Sequence, residues 1–215
     1  MPKGYEQNYQ GIVHLLADCD FEEAAARLGL DAPVNGVVKI SFLGREYEIN
    51  STGVTVTDGK LVHPNYLSTL IFYITSKGRA EPENTYSYLH SFIPESLGGF
   101  NNLSTMTSPL FREFGNNYGK FANAMKSLGA VNEETANEKE HLWSYRILPK
   151  IPMQVVYYEA DEEFPCEIKL KLDNCAKKFL EFEQLAFLCG CFTSKLAPVT
   201  MPVPKTGCAV VRDLL

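Results

Sequence analysis

Four acidic side chains stand close together in this chain, at Glu159, Asp161, Glu162 and Glu163. Grouped carboxylates suit a hard divalent cation, and one of them in a water-poor site can serve as a general acid or base. Asp161, Glu162 and Glu163, with Phe164 beside them, are therefore candidate ligand-binding residues. The plainer reading is a solvated turn between strands, with Phe164 anchoring it to the core. A second group is Cys189-Gly190-Cys191 with Cys208. Three thiolates could hold a metal or part of a cluster. Residues two apart on a helix face nearly opposite sides, so Cys189 and Cys191 reach one ion only if Gly190 breaks the helix. Otherwise they are buried free thiols. Histidines at 14, 63, 90 and 141 form no i, i+4 pair and no HExxH. His14 is expected at the edge of an apolar helix face, and His63, before Pro64, in a loop. No phosphate loop, GxGxxG or GxSxG is present, so no catalytic residue is assigned. Tyr86, Tyr88, Phe92 and Phe100, near Gly98-Gly99, read as core aromatics or as walls for a flat ligand.

The elements that must position these groups lie in the last third. Ile151–Tyr158 is β-branched, aromatic and nearly uncharged, which suits a strand covered on both faces. Cys166, Ile168, Leu170 and Leu172 alternate with Glu167, Lys169 and Lys171, the period of a half-buried strand. The two runs are expected to pair as an antiparallel hairpin around the acidic loop. Asp173 or Asn174 caps a brief turn. Phe182, Leu185, Leu188, Cys189, Phe192 and Leu196 then share one helix face, expected to lie against the sheet.

Earlier in the chain, residues 5–17 read as a helix, and Asp20 with Glu23 as the capping box of a second one, stopped by Gly29. A meander follows: 37–42, a turn at Gly44, a strand around Tyr47 and Ile49, another at Val54 and Val56, and a hairpin turn at Asp58-Gly59. Pro64 opens a central core helix carrying Leu67, Leu70, Ile71 and Ile74, ended by Gly78. Residues 85–92 read as a strand and 94–102 as a loop. Leu110, Phe111 and Phe114 give a short helix, and Asn116 caps a second with Tyr118, Phe121, Ala122, Met125 and Leu128. Residues 132–140 form an acidic loop, and 142–147 a strand. Beyond Leu196 the chain is a Pro-rich tail.

Arg146-x-Leu148-Pro149-x-Ile151-Pro152, Asp161-Glu162-Glu163-Phe164-Pro165, Leu172-Asp173 and Phe182-x-x-Gln184-Leu185 resemble the bacterial and archaeal family known as domain of unknown function 3786. Pro109-Leu110, Phe114-Gly115 and Ser127-Leu128-Gly129 extend the resemblance upstream. The resemblance implies a setting in anaerobes, where some members follow a four-cysteine iron–sulfur domain of the kind found in corrinoid proteins. It implies no catalytic residues.

The totals bound the remaining choices. The chain has 215 residues, is 45% hydrophobic and carries a net charge of −6 without a basic cluster. That argues against nucleic acid as a partner. No segment reads as a secretory signal or a membrane span, and the six cysteines fit reduced thiols in the cytoplasm. The expected class is α+β: mostly antiparallel sheet, in one section or two, packed against helices, with a C-terminal strand-hairpin-helix unit. A single domain over 1–215 is expected, with a tail from about 197. Three functions are compatible. The first is a cytoplasmic binding or accessory protein tied by resemblance to metal, tetrapyrrole/corrinoid or iron–sulfur metabolism. The second is an enzyme using Asp161–Glu163, and the third a structural interaction module. The partner is a small ligand or a protein, and the cofactor is unassigned.

Overall fold

The structure is a computed structural model describing residues 5–60, 62–94, 104–115 and 117–198. The first helix is shorter than its apolar pattern. It runs as α1 (Tyr5–Ile12) and tightens into a 3-10 turn over Val13–Leu16 that buries Leu16 and leaves His14 exposed. Asp20 caps α2 (Phe21–Leu28) by accepting from the Glu23 N–H, and Gly29 ends it in the left-handed conformation. The capping box is only half made. The Glu23 carboxylate turns away to the Arg27 guanidinium, because that cation is more strongly attractive than one backbone N–H.

Strands β1 (Val38–Phe42), β2 (Arg45–Asn50) and β3 (Gly53–Val56) form an antiparallel sheet in that order. Leu43 and Gly44 both adopt positive φ at the first turn. That twist matches the flanking strands. Asp58-Gly59 does not join strands: it follows the last one, and its carboxylate holds Arg45. Helix α3 (Pro64–Thr75) starts with Pro64 in the first turn and His63 Nδ1 accepting from the Asn65 N–H. It ends at Ser76, two residues before Gly78.

Strand β4 is limited to Tyr86–Tyr88, and a 3-10 turn takes Leu89–Phe92. The interruption by Leu89 and His90 sets that limit. Helices α4 (Ser104–Phe114) and α5 (Tyr118–Ser127) follow, and Asn117 is the residue that caps α5, accepting from the Lys120 N–H. The segment expected to be a loop contains a short exposed edge strand, β5 (Val131–Glu133). It pairs with β6 (Glu140–Leu148), then β7 (Ile151–Tyr158) and β8 (Glu167–Asp173) complete a second sheet of order β4-β8-β7-β6-β5, all antiparallel. Helix α6 (Phe182–Leu196) closes the described chain with a full capping box between Glu181 and Gln184. It packs on α3 and α4 and meets the sheet where Phe192 approaches Tyr145.

The class is therefore α+β, with two antiparallel sheets and a C-terminal hairpin followed by a helix. One contiguous apolar core runs through both sheets and their helices. Helix α3 joins them. Its Tyr66 ring meets Phe42 of the smaller sheet edge-on at 5.7 Å, and its Tyr73 hydroxyl accepts from the Lys150 N–H of the larger one at 2.9 Å. No helix among the described residues is long and apolar enough to cross a membrane.

Arg27 fixes the end of α3. Its side chain is 3% exposed and donates to the Ile74 and Gly78 carbonyls, to Ser76 Oγ and to Glu23. Lysine cannot reproduce that planar fork. Arg27→Lys should therefore lower stability by about 1–3 kcal/mol, read as a shift in the urea midpoint. An unchanged midpoint would show that the fork is dispensable.

Candidate functional site

Period-two alternation along β6 puts His141 and Trp143 on the face that carries Tyr157 of β7, since His141 pairs with Tyr157 in the register. Helix α5 covers this end of the sheet. Phe121 meets Trp143 edge-on at 6.4 Å and Tyr157 at 5.0 Å. One turn earlier, Tyr118 stacks on the His141 imidazole with centroids 3.6 Å apart and planes 13° from parallel. Glu159 is the first residue beyond β7. Its N–H donates to the Lys139 carbonyl at 2.9 Å, which holds it beside His141. The Glu159 Oε1 to His141 Nε2 distance is 2.7 Å. Gly115, Tyr118, Tyr157, Glu159 and Ala160 line a pocket here of about 230 Å³.

The groups around it are held neutral. Burial pushes the Tyr157 phenol up, and its hydroxyl donates to the Phe114 carbonyl at 2.9 Å. Burial likewise pushes the Cys166 thiol up, so it is a thiol rather than a thiolate. What remains is a carboxylate oriented by an imidazole, between tyrosine rings. Such a pair can accept a hydrogen bond or a positive charge, and can pass a proton.

The acidic loop is divided. Glu159 goes to His141. Asp161 closes the loop on itself: its Oδ1 accepts from the Glu163 and Phe164 N–H groups at 3.0 and 2.8 Å. Those donors, with Lys139 at 3.7 Å, hold the Asp161 carboxyl below its usual range. Glu162 and Glu163 are exposed. Phe164 is 66% exposed and anchors nothing, because the Asp161 turn carries its side chain outward.

Helix α6 runs unbroken through Gly190, with Cys189 and Cys191 both enclosed in the core and both thiols pushed up to about 12 by burial. Cys191 Sγ lies 3.8 Å from Thr69 Oγ1. Cys208, Asn116, Gly98, Gly99 and Phe100 lie outside the described residues, as does the tail from residue 199. Among the described residues no group of three or more His, Cys, Asp and Glu side chains could hold a metal ion. His90 is exposed and stacks on Tyr88 at 5.7 Å.

Sequence spacing alone did not single out His141 or Tyr118. The register hid them: straight counting back from the tight connection at Pro149-Lys150 sets His141 opposite Tyr158, whereas a bulge between Arg146 and Leu148 shifts the pairing by one residue and brings it to Tyr157.

Fold and site together define an α+β protein with a small carboxylate–imidazole pocket at one end of its larger sheet. The chain belongs to the family described as Domain of unknown function (DUF3786), whose model matches residues 20–195. No curated protein and no solved structure matches it.

Proposed function

We propose that this is a binding protein that takes a small amine or ammonium group into the pocket beside Glu159. The observation that carries this reading is the Glu159 carboxylate, held 2.7 Å from His141 Nε2 in a pocket that two tyrosine rings also line. Carboxylates and aromatic faces both attract cations. At about 230 Å³ the pocket lies below the roughly 300–1,000 Å³ of ordinary ligand sites, which suits a small head group. Binding is favoured over catalysis because Cys166 and Tyr157 are held protonated, so neither supplies a ready nucleophile. The setting carried over from the family resemblance is a cytoplasmic accessory role in metal, tetrapyrrole or iron–sulfur metabolism.

Calorimetric titration with methylammonium and choline, against the neutral isosteres methanol and 3,3-dimethylbutanol, tests the reading. Trp143, the only tryptophan, lies on the same strand face and offers a fluorescence readout. The cations should bind and the isosteres should not. Glu159→Gln should weaken the cations by about 10-fold or more, equivalent to about 1.4 kcal/mol. Equal binding of cation and isostere, or an unaffected Glu159→Gln variant, would overturn it.

A further inference from the structure

A different cleft, of about 430 Å³, lies between the end of α3 and the start of α6. Lys77, Lys177 and Lys178 line it, with Ser76, Gln184 and the Phe72 ring. The two lysine-bearing segments are a hundred residues apart in sequence. They are brought together by backbone packing. Gly78 lies so close to the Lys178 carbonyl that a Cβ there would sit 2.0 Å from its oxygen. Arg27, beneath, holds the 74–78 segment in place through two of its carbonyls.

Three lysines line this one cleft in a chain that is acidic as a whole. Net charge is −6, and Lys39, Lys120, Lys139, Lys150 and Lys169 each face a carboxylate. Lys77, Lys177 and Lys178 form no ion pair with any described residue, and all three are exposed. Glu181 is the acidic residue of the lining, and its carboxylate already accepts from the N–H at the third position of α6. The first turn of that fifteen-residue helix, through Gln184, also lines the cleft. Like charges repel, and a concave surface concentrates their field. Three unpaired ammonium groups around one cleft are therefore relieved by an anion.

We propose that this cleft binds a small soluble polyanion of the phosphate-ester class, its phosphates on the three lysines and its apolar part on Phe72. Inorganic pyrophosphate is the probe, titrated calorimetrically into the full chain at low and at physiological salt. Saturable binding that weakens as salt rises is expected. Neutralising the triple Lys77→Gln/Lys177→Gln/Lys178→Gln should weaken it at least 10-fold, and the Arg triple at the same positions should restore it. A control triple, Lys39→Gln/Lys120→Gln/Lys126→Gln, changes net charge equally and should leave it within 2-fold. Glu159→Gln should leave it unchanged, which separates this cleft from the pocket at His141. Equal weakening in the two Gln triples would overturn the proposal, as would absence of saturation. So would protein that sediments with phosphatidic acid vesicles but does not bind free pyrophosphate, because the anion would then belong to a membrane surface.

Discussion

Asp173→Ala will lower stability by about 3–5 kcal/mol, because it strips three buried or part-buried donors of their acceptor at once. The carboxylate is fully enclosed. It accepts from the Glu83, Asn84 and Cys175 N–H groups at 3.0, 2.6 and 2.8 Å. Asn84 adopts φ 55°, which aims two consecutive N–H groups at one anion. This fastens the loop before β4 to the end of β8, and so fixes the short edge pairing of Tyr86 with Asp173. Asp173→Asn should lose nearly as much, since its NH2 brings a donor where donors already converge. A urea midpoint for the Asn variant close to wild type would show that charge is not what matters.

The same site sets a pH dependence. Burial alone would raise the Asp173 carboxyl, but the converging backbone donors and the Cys175 thiol outweigh it, and the net shift is downward. A carboxyl lowered on folding contributes stability above its unfolded value of about 3.9. That contribution is lost as pH falls through the lower folded value. The stability gap between wild type and Asp173→Asn should thus be constant near neutrality and shrink below about pH 4.

Gly78→Ala should be comparably damaging, by about 3 kcal/mol or more. The added Cβ would meet the Lys178 carbonyl oxygen at 2.0 Å, its carbon at 2.6 Å and the Phe179 Cα at 3.0 Å. All three are backbone atoms, so no side chain can rotate away. Relief requires the 76–78 segment to part from 177–179, against the Arg27 bonds that hold it. Melting should drop by roughly 6–12 °C for a chain of this size. Melting within 2 °C of wild type would mean that these segments are not in close contact in solution.

Most of the fold was legible because its signals are local. Alternation in β8, the Pro64 start of α3 and the Asp20 and Gly29 ends of α2 each act within a few residues. The departures came where distant groups compete. Glu23 left its expected cap for Arg27, and α6 packs on α3 and α4 as well as reaching the sheet. The pocket was half legible. Glu159 belonged to the acidic run, but its partner His141 lies eighteen residues away across a hairpin, and Tyr118 was indistinguishable from a core stripe until α5 was placed over that end. The lysine cleft was invisible, because its two halves lie far apart in sequence and meet through tertiary packing at Gly78 and between Tyr73 and Phe179.

The self-closed turn at Asp161 has an implication for how this stretch can change over generations. Asp161 needs only its own neighbours to make the turn, and Glu162, Glu163 and Phe164 stand outside the core. Selection for a folded chain alone would let those three positions drift. An aromatic ring is left two-thirds in water there. Any side chains that leave the Asp161 turn intact can stand at 162, 163 and 164 without unfolding the chain, so this loop is where its surface can be rewritten with least loss of stability.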